Sequence, residues 1–207
     1  MKRLRGAGRL VIAVTWLSGL FACRWTGHQT GPAGISADAG PTARASAPSI
    51  YDLDLALTDQ NGRPRALADL RGRVLVAAMM YTSCTSVCPR VVDDMRGVEQ
   101  QLSAHDREGV DFVLFSLDPG RDSPSALRQF ATDHGLAAGW RLFAAPADGV
   151  RELSAVLGVK YQAQDDGQIA HSAMIFVVDR EGVVRHRQMG INQDRRALTE
   201  ALALARR

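Results

Sequence analysis

The stretch RVLVAAMMY, Arg73 to Tyr81, is apolar except for its first and last residues. It shows no alternation between water-facing and core-facing positions. Such a run reads as a central strand covered on both faces. A strand of this kind needs a layer above and a layer below it, which restricts the chain to an α/β architecture. VDFVLFSL (Val110 to Leu117) is a second strand of the same kind, and WRLFAA from Trp140 is a shorter one.

The segments between these strands have helical periodicity. A helix is predicted from about Pro89, where proline suits a first turn whose N–H groups lack partners. Val91, Met95, Val98 and Leu102 form its apolar stripe. Asp122-Ser123-Pro124 starts another, which carries Leu127 and Phe130 and stops at His134-Gly135. A third is predicted over Ala147 to Leu157, ending at Gly158, and a last one from about Gln193. SAMIFVVD, REG and VVRHR form a hairpin. Near the start, Tyr51, Leu53, Leu55 and Leu57 alternate with Asp52, Asp54 and Ala56, predicting a half-buried strand before the Asn61-Gly62 turn. The expected layout is a central mixed sheet with helices on both faces, its first strands made parallel by right-handed crossovers.

The first residues read differently. Lys2, Arg3, Arg5 and Arg9 precede an apolar run, Leu10 to Phe21, that Thr15, Ser18 and Gly19 interrupt. No run in the chain approaches the ~20 apolar residues of a spanning helix. A basic head, a short apolar stretch and LFAC (Leu20 to Cys23) describe a secretory signal over 1–22. A cysteine after the cut resembles a bacterial lipoprotein signal, with Cys23 lipidated; cleavage nearby or a short uncleaved anchor are the alternatives. Removing the four basic residues of 1–22 turns the formal charge of +3 into −1. The basic pI therefore belongs to the targeting segment and gives no reason to expect a nucleic-acid partner. Residues 23–49, rich in Gly, Pro, Ala, Ser and Thr, read as a flexible tether, with His28 a solvated linker residue. Residues 50–207 form the folded domain. The expected location is the bacterial cell envelope, on the periplasmic side, anchored through Cys23.

YTSCTSVCPR, Tyr81 to Arg90, places two of the chain's three cysteines at the first strand–helix junction. The carboxyl end of a central α/β strand is a usual place for chemistry. Helix-start N–H groups and the positive end of the helix dipole favour thiolate there. Thiolate is both a nucleophile and a metal ligand, and beyond the cytoplasm an unprotected pair tends to become a disulfide. Three residues separate Cys84 from Cys88, one more than in thioredoxin-type pairs. The longer loop can close a disulfide or let both sulfurs converge on one ion. Two thiolates leave a soft metal under-coordinated, so a third ligand is expected. His105 and His134 sit at predicted helix ends, and His186 lies among RHR on a solvated face. His171 opens HSAMIFVVD, where it could simply cap the strand; if that strand runs antiparallel to Val74–Tyr81, His171 starts at the sheet edge that bears the cysteines. Cys84, Cys88 and His171 together suit Cu(I), and Cu(II) with added oxygen ligands; zinc accepts the same residues but usually takes a fourth. Capture needs reduced sulfurs and a neutral His171. Met79, Met80 and Met174 read as core.

These residues resemble the Sco/SenC family, thioredoxin-fold copper proteins linked to assembly of cytochrome c oxidase. YTSCTSVCP resembles its CxxxCP motif, SLDPGRDSPSALRQFA its Asp-Pro block, and LGVKY with HSAMIFVVDREGVV the segment that bears its distal histidine. The likeness spans about Ile50 to Arg207. It implies a thioredoxin-like fold, with Cys84, Cys88 and His171 binding copper destined for the dinuclear CuA centre in the oxidase's second subunit, or for another exported copper protein. An upstream copper donor or thiol reductant would serve it. Two features depart from the family: Thr85 and Ser86 stand where many members have proline and aspartate, and lipid on Cys23 would replace a membrane helix. Asp118 is expected to tune the site, meet a partner, or simply form an Asp-Pro turn. The main expectation is a metallochaperone. The alternative is a thiol–disulfide oxidoreductase in which Cys84 or Cys88 attacks an acceptor disulfide. A redox or copper sensor is a third reading; a peroxidase would leave His171 without a task.

Overall fold

A computed structural model of the chain describes residues 47–207. The 1–22 signal, Cys23, His28 and most of the 23–49 tether lie outside the described residues. Near the start of the described part, Ser49 bridges to Val183. The strands and helices, in chain order, are β1 (Ala56–Asp59), β2 (Pro64–Ala66), β3 (Val74–Met80), α1 (Val87–Gln101), α2 (Ala104–Arg107), β4 (Val110–Ser116), α3 (Pro124–Asp133), β5 (Trp140–Ala144), α4 (Ala147–Leu157), β6 (Tyr161–Ala163), β7 (Ile169–His171), β8 (Met174–Val178), β9 (Val184–Met189) and α5 (Arg196–Ala205). The strands make a seven-stranded sheet in the order β2-β1-β5-β4-β3-β8-β9, and β6 and β7 pair separately.

The central strands behave as their composition requires. Every residue of β3, β4 and β8 is buried, so the sheet is covered on both faces. β3, β4 and β5 are parallel, while β8 runs antiparallel to β3 and β9 to β8. The sheet is thus mixed, as the sequence implies. Phe112 stacks on Trp140 with ring centroids 5.1 Å apart, and the carboxyl ends of β3 and β4 share one edge with the start of β8. Met79, Met80 and Met174 are buried in the core.

Several expectations need correction. The alternation from Tyr51 to Leu57 is correct for burial, yet its first part is a 3-10 turn, Ile50–Asp52. The Ser49 hydroxyl accepts the Tyr51 N–H and the Asp52 carboxylate accepts the Ser49 N–H, a capping box that winds the chain before a strand can form. β1 therefore starts at Ala56, and it runs antiparallel to β5 instead of joining the parallel set. Within Asp122-Ser123-Pro124 the cap is Ser123, which accepts the Ala126 N–H, with Pro124 in the first turn of α3 as expected. α1 begins two residues before Pro89, and α5 begins at Arg196, after a loop that passes through left-handed Asn192. The short helix α2 and the β6–β7 hairpin went unanticipated, because neither is long enough to carry a periodic signal.

Candidate metal centre

Tyr81 to Ser86 link β3 to α1 at the carboxyl edge of the parallel strands, and Cys88 lies in the first turn of α1. Ser86 occupies the N-cap position but makes no side-chain cap bond. The Cys84 sulfur takes that role: it accepts the Cys88 N–H at 3.3 Å. A helix start therefore closes on sulfur instead of oxygen. Burial by itself would raise the Cys84 pKa, but the neighbouring Cys88 thiol and the backbone N–H groups of Cys88, Ser86 and Val87 favour thiolate, outweigh it and bring the thiol down to about 7. Cys88 goes the other way. Buried completely and bonded to Cys84, its thiol is pushed well above the ordinary range. Both cysteines are free.

His171 is the last residue of β7. Sequence reasoning set it at the head of the long apolar strand; it instead closes a small hairpin, paired with Tyr161. Two residues later β8 begins, antiparallel to β3, so the edge argument holds even though the element differs. The His171 Nδ1 lies 3.1 Å from the Ser172 carbonyl oxygen, which can only accept. Nδ1 thus carries the proton, and the Nε2 lone pair faces Cys88 Sγ at 3.6 Å. Burial lowers the His171 pKa, which favours this neutral form. The Tyr81 ring meets His171 edge-on, with centroids 5.8 Å apart and planes at 78°.

The ligand atoms of Cys84, Cys88 and His171 all lie within 4.8 Å of one another. Two sulfurs and one imidazole nitrogen at that separation can converge on a single ion, and the donor softness fits Cu(I) or zinc better than a hard cation. The cysteines could equally join as a disulfide after a modest closure of the loop. A cleft of about 310 Å³, lined by Tyr81, Cys84, Val87, Gln168, Ile169 and His171 among others, opens onto the group. A hollow of about 300 Å³ beside β1 and β5, lined by Asp59, Arg63, Arg65 and Asp69 among others, contains no cysteine or histidine.

Among the described residues, the other histidines stay out of the group. His105 lies in α2 and His134 caps α3, its ring 4.2 Å from Phe130. His186 is half-buried and its Nε2 has no partner, so the solvated face expected of it is only partly realised. Asp118 does not join the ligands; its carboxylate pairs with Arg121. Thr85 and Ser86, the departures from the family pattern, are exposed.

Sequence reasoning missed the support for the loop. Asp122 is only 2% exposed. Its carboxylate accepts the Thr82 N–H at 3.1 Å and the hydroxyls of Thr82 and Ser116, each at 2.6 Å. Burial raises its pKa, against the pull of those donors. An acid just past a buried strand, at the edge that bears the chemistry, was the available signal.

Comparison with known proteins gives a family model described as SCO1/SenC that matches residues 44–205. A Stutzerimonas stutzeri protein whose name proposes copper binding is 30% identical over 135 residues, which is 63% of this chain and 65% of that protein. The crystal structure of a SCO1/SenC family lipoprotein from Bacillus anthracis superposes with a TM-score of 0.66 at 25% identity, covering 74% of this chain and 96% of that one. BsSco, described as having a disulfide switch and as a member of the Sco family of cytochrome c oxidase assembly proteins, gives 0.63 at 21% identity over 72% of this chain and 90% of that one. At that identity the likeness shows the fold, which is thioredoxin-like. The chain spans about half the length of mitochondrial relatives: 43% of the Saccharomyces cerevisiae protein and 50% of the Bos taurus one. Among the described residues, no helix is long and apolar enough to cross a membrane.

Proposed function

The chain belongs to the SCO1/SenC family, and from that premise we propose that it is a copper-binding metallochaperone. Copper is its cargo, held by Cys84, Cys88 and His171 and passed to the CuA centre of cytochrome c oxidase subunit II. The observation that carries this reading is the convergence of two sulfurs and an imidazole nitrogen within 4.8 Å. The neutral, proton-directed His171 supports it, because Nε2 is free to bind without first losing a proton. Ligand exchange with acceptor thiolates suits a donor group that a cleft lined by Tyr81, Val87 and Ile169 opens onto. Residues 1–22 act as a lipoprotein signal, 23–49 as a tether and 50–207 as the copper-binding domain, with lipid on Cys23 holding the protein at the periplasmic side of the membrane. Tethering raises the effective concentration at a membrane-bound acceptor. Mass spectrometry of the mature protein tests the anchor; an unmodified Cys23 would contradict it.

The main test titrates the reduced soluble domain with Cu(I) against a competing chelator, then repeats the titration with His171→Ala and with both cysteines as serine. Tight one-to-one binding that needs all three residues is the expected result. Transfer to an isolated CuA domain follows as the second stage.

The split between the thiols favours a second reading, thiol–disulfide exchange. Cys84, with a pKa of about 7, would attack an acceptor disulfide as thiolate, forming a mixed disulfide and releasing one acceptor thiolate. Cys88, losing its proton, would then attack Cys84 and release the second. The acceptor gains two electrons, the Cys84–Cys88 pair becomes a disulfide, and an upstream thiol reductant restores it. Reductase turnover that is indifferent to His171→Ala, without tight copper binding, would make this the primary activity.

A further inference from the structure

The three donors come from two pieces of chain, and a single short turn touches both. Residues 118–122 follow β4 at the same sheet edge as the cysteine loop. At one end of the turn, Asp122 holds the backbone and hydroxyl of Thr82. At the other end, Asp118 pairs with the Nε of Arg121. The Arg121 guanidinium continues past it and donates through a terminal nitrogen to the Gly167 carbonyl oxygen at 2.6 Å. Gly167 stands at the tip of the β6–β7 hairpin, at φ +79, a conformation that favours glycine. A Cβ there would lie 3.4 Å from the other terminal nitrogen of Arg121.

We infer that Arg121 is a positioning residue: braced by Asp118, it holds the β6–β7 hairpin over the cysteine loop and so sets where His171 stands relative to the two sulfurs. The inference rests on the three-donor reading above, which it deepens. A planar guanidinium suits the task because it presents separate N–H groups to the carboxylate and to the carbonyl at fixed angles. The hairpin needs such a brace. Its strands have three residues each and pair only with one another. Its remaining links to the domain include the Tyr81 hydroxyl, which donates to Gln168 at 2.9 Å, while the Ser172 N–H closes its base on the Lys160 carbonyl at 2.9 Å. Asp122 fixes the sulfur side and Arg121 the imidazole side, so the turn acts as a gauge between them.

The test compares the reduced domain with Arg121→Ala, His171→Ala and the double variant. Arg121 is half exposed, and circular dichroism checks that each variant folds. Hydrogen exchange is measured first, without metal. Arg121→Ala should speed exchange of amides 162–170 about fivefold while leaving β3 and β4 unchanged. Cu(I) competition follows. Arg121→Ala should weaken binding about tenfold in the wild-type background, the usual scale for a residue that orients a ligand. In the His171→Ala background it should have no effect beyond about twofold. Unchanged hairpin exchange would overturn the inference, as would an equal loss of affinity in both backgrounds. If the unsubstituted domain fails to bind Cu(I), or binds it without need of His171, the three-donor reading fails instead, and the exchange measurement still decides whether Arg121 holds the hairpin.

Discussion

The cysteine loop and the histidine hairpin supply one cluster of donors, but they are held in opposite ways. The loop is anchored inward. Cys84 and Cys88 are 5% and 0% exposed, a buried carboxylate fixes Thr82, and α1 closes on the Cys84 sulfur. The hairpin is anchored outward. Both of its strands are short, most of its residues are exposed, and its tip is tied by Tyr81 and Arg121. Under the proposed function, this asymmetry would let a bound ion gain or lose the imidazole as its third ligand while the two buried sulfurs keep their places.

The comparison can be broken at several levels. Phe112→Ala removes a fully buried ring stacked on Trp140. It should cost about 4 kcal/mol and, because the core supports both regions, lower hydrogen-exchange protection in loop and hairpin alike. Urea denaturation measures the loss. Asp122→Ala leaves the Thr82 and Ser116 donors unsatisfied and should cost about 3 kcal/mol. Its effect should concentrate on the cysteine side, seen as faster alkylation of Cys88. The raised carboxyl of Asp122 means that its own contribution is largest below the ordinary carboxylate range and declines as pH rises through its folded value. In the reduced wild-type protein, Cys84 should alkylate as pH rises through about 7. Cys88, protonated and enclosed, should lag it by about 100-fold at neutral pH; mass spectrometry of iodoacetamide-treated samples reads the ratio. The smallest effect belongs to the hairpin. Tyr81→Phe deletes the bond to Gln168 and should cost about 1 kcal/mol, seen as faster exchange of amides 162–170 with no change in the global midpoint.

What could be read in advance follows the same division. Buried parallel strands announce themselves through composition, so β3 and β4 were legible almost to the residue. The helix from Ala147 to Leu157 was legible because a left-handed glycine, Gly158, ends it. The cysteine turn was legible because a strand, a short loop and a helix start are local features. The hairpin was not. Three-residue strands carry no period, and its register depends on a tip that Tyr81 and Arg121 hold from distant points in the chain. Asp122 was hidden by a competing local meaning: next to Ser123 and Pro124 it resembles a cap, and only the packed structure shows that its carboxylate turns inward to Thr82. Sequence thus pointed to the side chains that cluster, Cys84, Cys88 and His171, sooner than to the side chains that hold them in place.

The most direct measurement is X-ray absorption at the copper edge on the reduced domain loaded with one equivalent of Cu(I). The account predicts a first shell of two sulfurs and one imidazole nitrogen, with the nitrogen and its imidazole scattering lost in His171→Ala. A shell of sulfur alone in the unsubstituted protein, unchanged by that substitution, would contradict it.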